Sequence, residues 1–215
     1  MSAAAFSESY MRRFQVLAMT VLVAFTLAAC NAKTGAGAGA APDDMSLGDP
    51  KAKVTVIEYA SVGCPVCARW QKEVYPAFKT KYIDTGKVHY VFREMLVGGG
   101  AEVAVASGGF LMARCSGKDK YFAINDAVFA SQPGVFEAPR ETLLNIAKSS
   151  GMTEAAFNKC VGDEQALLAL NKRVEKNAKD GQVDSTPTFV VNGKKLEAGF
   201  QPIEVLDAAI AAAAK

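Results

Sequence analysis

The chain has 215 residues, with 24 basic and 22 acidic side chains, so its formal charge of +2 offers no field that would draw it to nucleic acid. No internal repeat is visible. The stretch from residue 51 to 215 is long enough to bury one sizeable core.

Residues 1–29 read as an export signal. Arg12 and Arg13 precede the uncharged run 16–29, which is too short to span a bilayer comfortably and typical of a signal-peptide core. The run ends in Leu27-Ala28-Ala29-Cys30, which resembles the bacterial lipobox. That resemblance implies lipidation of Cys30 on its thiol and a mature chain that begins there. The competing reading is an ordinary secretory signal with Cys30 incidental. Asn31 is not the aspartate that retains enteric lipoproteins at the inner membrane, so outer-membrane sorting stays open, and Met11 is a candidate true start. Beyond residue 29, the loss of Arg12, Arg13 and Glu8 leaves 22 basic and 21 acidic residues, again near neutral. Residues 30–50 are small and turn-rich and read as a lipidated N-terminus with a flexible tether.

The folded part is expected over residues 51–215. Residues 53–60 carry apolar side chains on both faces, as a central buried strand does. Cys64-Pro65-Val66-Cys67 follows at a strand-to-helix junction. There the unpaired N–H groups of a helix N-terminus favour a thiolate over a thiol, which points to thiol–disulfide exchange. Trp70, Val74, Tyr75, Phe78 and Tyr82 recur at helical spacing, with a kink expected at Pro76. After a turn at Asp84-Thr85-Gly86, residues 88–93 read as a second strand. The span 101–179 reads as helical, in stretches around 101–115, 118–130, 139–149, 153–160 and 163–179 separated by glycine and proline. Residues 187–191, Asn192-Gly193 and 194–197 predict a β-hairpin with a type I′ turn, and Pro202 opens a final helix.

If Cys30 carries lipid, four cysteines remain, and an exported compartment permits two disulfides. Spacing pairs Cys64 with Cys67 and Cys115 with Cys160; the alternative for the second pair is two buried free thiols. His89 is the single histidine, on a strand away from the cysteines, and reads as a surface or satisfied side chain.

The order strand, CxxC, helix, strand, helical insert, Thr186-Pro187, hairpin and closing helix resembles the DsbA-like thiol:disulfide oxidoreductases. It implies an α/β thioredoxin fold with an inserted all-helical subdomain. The resemblance rests on Ser61-Val62-Gly63-Cys64-Pro65-Val66-Cys67 and Ser185-Thr186-Pro187-Thr188-Phe189. By that likeness Cys64 is the exposed nucleophile, Cys67 the buried resolving thiol, and the Cys64–Cys67 disulfide the only redox group, with no cofactor and no metal. Thr186-Pro187 matches the family's cis-proline loop, which pairs with the substrate backbone. Pro65 and Val66 shape the motif, and Glu58 stands where the family often keeps a buried acid that shuttles protons. The alternative for Glu58 is an edge-facing carboxylate paired with a lysine. Histidine precedes the second cysteine in the family's strongest oxidants, so Val66 predicts a Cys64 thiol less depressed than theirs and leaves the net direction open.

Three functions therefore compete. The favoured one is an envelope oxidoreductase that supports disulfide formation in exported proteins, is reoxidised by a membrane partner of the DsbB type, is lipid-anchored and works as a monomer. The second is a reductase or isomerase of the same fold, fed by another thiol relay. The third is a non-enzymatic metal-binding lipoprotein using Cys64 and Cys67, which needs two further ligands.

Overall fold

The computed structural model describes residues 39–215. The expected signal over 1–29, the alternative start at Met11 and the lipidation site Cys30 lie outside the described residues. Among those described, no helix is long and apolar enough to cross a membrane.

Five strands form one sheet in the order β1-β3-β2-β4-β5, where β1 is Met45–Leu47, β2 Val54–Ala60, β3 Val88–Glu94, β4 Thr188–Val191 and β5 Lys194–Lys195. Strand β2 is central: it runs parallel to β3 from Val54↔Val88 to Ala60↔Glu94 and antiparallel to β4 from Val56↔Val191 to Tyr59↔Thr188. Burial on both faces follows from that position. Val54, Val56, Ala60, Tyr90, Phe92, Phe189 and Val191 belong to one core, and Ile57, Tyr59, Val91 and Val190 to a smaller one. Glu58 shares the first face by alternation.

The expectation of a tether up to residue 50 is corrected. Met45–Leu47 pairs antiparallel with β3, Met45↔Phe92 to Leu47↔Tyr90, and Met45 is buried. A three-residue strand among Gly, Pro and Asp carries too little periodicity to read locally. What holds it is distant: the buried Arg93 bonds Asp44 Oδ2 at 3.0 Å, Tyr59 OH at 2.7 Å and the Gly39 carbonyl at 2.8 Å.

Helix α1, Pro65–Glu73, stops before α2, Tyr75–Phe78, and a π-turn, Lys79–Ile83. Pro76 has no N–H to give to a carbonyl four residues back, which accounts for the break. Between β3 and β4 the chain is helical: α3 is Gly100–Cys115, α4 Lys118–Ala130, α5 Pro139–Ser149, α6 Glu154–Val161 and α7 Glu164–Gly181. Thr153 caps α6 and Asp163 caps α7 through their side-chain oxygens, as their positions suggest. The hairpin turns at Asn192 and Gly193, both with positive φ, and its second strand is shorter than expected, two residues. Helix α8, Ile203–Ala213, closes the chain behind Pro202.

The insert is fastened to the sheet at Glu94, which is 1 % exposed. Arg114 of α3 donates to Oε1 at 2.6 Å, Arg173 of α7 to Oε2 at 3.1 Å, and Tyr121 of α4 to Oε1 at 3.0 Å. A buried charge of this kind is tolerated only because it is fully bonded. Within the insert, Cys115 and Cys160 form a disulfide with Cα atoms 6.0 Å apart, tying α3 to α6 across 45 residues. The double variant C115A/C160A should lose about 3–4 kcal/mol of unfolding free energy, the chain-entropy value for such a loop. Urea unfolding of the oxidised proteins measures it, with the Cys64–Cys67 pair intact in both.

Candidate active site

Strand β2 ends at Ala60, and the chain turns through Ser61-Val62-Gly63 before α1 begins. The turn is held by Cys64 N–H to the Ser61 carbonyl at 3.0 Å and Gly63 N–H to Ser61 Oγ at 3.3 Å. Gln132 Nε2 reaches over from the insert to the Val62 carbonyl at 2.6 Å. Gly63 lies so close to the Glu102 carbonyl of α3 that a Cβ would collide with it, which explains the glycine before the first cysteine.

Cys64 is the N-cap of α1, in extended geometry, with Pro65 in the first turn. Its sulfur accepts the Cys67 backbone N–H at 3.4 Å, and its thiol donates to the Thr186 carbonyl at 3.6 Å. The Thr186–Pro187 peptide is cis. Its loop is pinned by Thr188 Oγ1 donating to the Ser185 carbonyl at 2.8 Å and by Gly199 N–H donating to the Pro187 carbonyl at 2.8 Å. Thr186 Oγ1 is buried beside Cys64 without a hydrogen-bond partner.

The two cysteines are free thiols in unlike surroundings. The Cys64 thiol is pulled down to about 6 by the hydrogen bond with Cys67, against burial, with further help from Thr186 and the N–H groups of Cys67 and Val66. Cys67 is 0 % exposed, and burial followed by the adjacent Cys64 pushes its thiol well above the ordinary range. Cys64 is less open than expected, 7 % exposed, because the Thr186 loop folds onto it. Pro65 and Val66 are the exposed members of the motif; Val66, at 41 %, offers the site only its backbone.

Behind the motif Trp70 is wholly buried, its Nε1–H bonded to the Gln201 carbonyl at 3.0 Å and its ring 4.7 Å from that of Phe189. Glu58 is 1 % exposed and accepts a hydrogen bond from Tyr90 OH, not from a lysine, so the edge-facing alternative does not hold. Burial raises its carboxyl to about 8. Asp126 of α4, a residue with no local sequence signal, lies across from α1 and takes Gln71 Nε2 at 2.7 Å. Burial lifts it to about 6. His89 is buried on β3 away from the cysteines, where burial holds its imidazole below the usual value. Cys115 and Cys160 stand apart as a structural pair. No three His, Cys, Asp or Glu side chains among the described residues come together as a metal set.

Known proteins supply a frame for this geometry. Residues 40–212 match the thioredoxin family. A putative protein-disulfide oxidoreductase of Rickettsia bellii is 33% identical over 158 residues, 72% of this chain and 59% of that protein. The chain thus spans about three-fifths of the length of the curated relative it matches. A probable disulfide bond formation protein D of Bacillus anthracis is 27% identical over 165 residues, 74% of this chain and 75% of that one. Among solved structures, Wolbachia pipientis alpha-DsbA1 superposes with a TM-score of 0.72 at 27% identity, over 82% of this chain and 93% of that one.

Two expectations follow. In the reduced protein, thiolate absorbance should titrate with a midpoint near 6 and vanish in Cys64→Ser. In the same reduced protein the sign for Glu58 runs the other way. Its folded value of about 8 lies above its ordinary 4.5, so folded protein retains the proton longer and stability falls as pH rises from 4.5 through 8. Glu58→Gln should remove that decline, leaving the variant more stable than wild type at pH 8 and close to it at pH 4, as read by thermal unfolding across pH.

Proposed function

The chain belongs to the thioredoxin family, with a DsbA-like helical insert, and on that premise we propose that it is a thiol:disulfide oxidoreductase of the cell envelope. It exchanges disulfides with exported proteins through Cys64 and Cys67 and favours disulfide formation in them. The observation that carries this reading is the contrast between the two sulfurs. Cys64, capped by the Cys67 N–H, leaves readily as a thiolate, whereas Cys67 is sealed and retains its proton.

The cycle in the oxidising direction follows from that contrast. A client thiolate attacks Cys64 Sγ of the closed disulfide; the Cys64–Cys67 bond breaks, a Cys64–client bond forms, and Cys67 takes a proton. A second client thiolate attacks its partner sulfur, the client disulfide closes, and Cys64 departs as the thiolate that the helix N-terminus stabilises. Two electrons pass from client to protein. Thr186 lies against Cys64, its carbonyl taking the Cys64 thiol, on the side where a client backbone would pair. Glu58 serves as the buried acid of the site. Reoxidation by a DsbB-type membrane partner, anchoring through Cys30 and a periplasmic location complete the proposal, together with a monomeric state.

The reductase reading differs in potential. At equilibrium with glutathione, the proposed oxidant should sit well above the thioredoxin value of about −270 mV, and a potential at or below it would overturn the direction. Val66→His should add a donor near the Cys64 sulfur and shift the same equilibrium toward reduced protein by roughly tenfold, about 30 mV.

A further inference from the structure

Pro65, the exposed neighbour of the reactive sulfur, is also one wall of a cleft of about 820 Å³ between α1 and α4. That volume is in the range of pockets that take a ligand. No residue of the Thr186–Pro187 loop lines it, so the cleft meets the motif independently of that loop. Ala68 of α1, Phe129 of α4 and Phe136 in the turn Gly134–Phe136 make its apolar walls.

One group in the cleft lacks a counterpart. Asp126 is half-buried, and its Oδ1 accepts only the neutral Gln71 Nε2, at 2.7 Å. No lysine or arginine among the described residues forms an ion pair with it, because the cations of the cleft are engaged elsewhere or face water. Arg69 pairs with Glu73 at 3.1 Å and lies over the Phe200 ring. Lys79, which bears on Asp126 electrostatically, pairs with Asp84 at 2.5 Å, and Lys72 is exposed. A carboxylate set among aromatic walls has lost water without gaining an opposite charge. A long side chain with an apolar stem and a cationic head matches both the walls and the acid.

We propose that this cleft is a client subsite for lysine or arginine, whose stem lies against Pro65, Ala68 and Phe136 and whose head pairs with Asp126. The occupant is an extended client segment next to the cysteine that attacks Cys64. Two observations select it: the cleft is continuous with the reactive sulfur through Pro65, and its unpaired charge is negative. The reach is adequate. Gln71, which holds Asp126, is seven residues beyond Cys64, about 10 Å of helix rise. A residue two along from the client cysteine lies about 7 Å from it, on the same face of an extended chain. A lysine or arginine side chain covers the remainder. At the sulfurs nothing changes: the client thiolate bonds to Cys64 Sγ, the Cys64–Cys67 bond breaks, and Cys67 takes a proton. Asp126 touches no reacting atom; it determines which client is held in place for that attack.

This rests on the exchange activity proposed above, and the experiment separates the two. Oxidised protein is mixed at pH 7.5 with dithiol peptides that carry lysine, norleucine or glutamate two residues from one cysteine and are otherwise identical. Peptide disulfide is measured by acid quench and chromatography. Each rate is divided by that of the same peptide with oxidised glutathione, which removes the effect of the charge on the peptide's own thiols. In wild type the lysine peptide should react roughly tenfold faster than the norleucine peptide, and the glutamate peptide slowest. Asp126→Asn should bring lysine and norleucine to within about twofold of each other, and Asp126→Lys should pass the advantage to glutamate. Equal normalised rates for lysine and norleucine in wild type, or a lysine advantage undiminished in folded Asp126→Asn, overturn the subsite. Wild type that oxidises none of the peptides overturns the exchange activity instead.

Discussion

One hydrogen bond organises this molecule: the backbone N–H of Cys67 pointing at the sulfur of Cys64. It exists only if Cys64 sits at the N-cap with extended geometry while the next residue is already helical. Pro65 meets that demand, since its fixed φ suits a first turn and its missing N–H is one the helix would leave unpaired anyway. The close seat of Gly63 against α3 and the bond from Gln132 to the Val62 carbonyl set where the turn can lie. The capping bond is thus a product of sheet, helix and insert together.

The insert therefore does more than cover the sheet. Its attachment is electrostatic at Glu94, where Arg114, Arg173 and Tyr121 from three helices converge on one buried carboxylate. Isolated, that carboxylate would cost several kcal/mol; satisfied, it specifies one docking geometry for α3, α4 and α7. The same docking brings Gln132 over the catalytic turn and Asp126 opposite α1. The β1 edge depends on a parallel device, Arg93 with Asp44 and Tyr59, which brings part of the expected tether into the sheet.

Much of this was readable from the chain alone, for local reasons. The two-faced apolar run at 53–60, the CxxC junction, Asn192-Gly193 and the glycine and proline breaks of the insert each act within a few residues of themselves. Cys115 and Cys160 could be paired by counting. What escaped is what depends on distant partners. Met45-Ser46-Leu47 has no period long enough to declare itself a strand. Glu58 could be suspected, but nothing near it in sequence names Tyr90, and nothing around Asp126 reveals that α4 will turn it toward Gln71. The low exposure of Cys64 comes from a loop 122 residues away.

The place of Val66 can be decided on magnitudes. Its lack of a side-chain donor predicts a thiol lowered less than with histidine in that place, and Cys64 falls from 9.0 to about 6. That difference corresponds to about 4 kcal/mol of preference for the thiolate. A hydrogen bond to a charged group contributes about 1.5–3 kcal/mol, so two or three donors suffice even against the opposing burial. The Cys67 thiol and the backbone N–H groups of Cys67 and Val66 are such donors, and Thr186 adds to them. A histidine would therefore strengthen a preference that the helix terminus already establishes. Thiolate stability weighs on the reduced form alone, because the disulfide has no sulfur charge to stabilise. Each increment of it favours reduction of the Cys64–Cys67 pair and hence oxidation of the client. The valine moderates the driving force; the Cys67 thiol supplies most of the thiolate's stabilisation, and Thr186 and the backbone N–H groups of Cys67 and Val66 add to it.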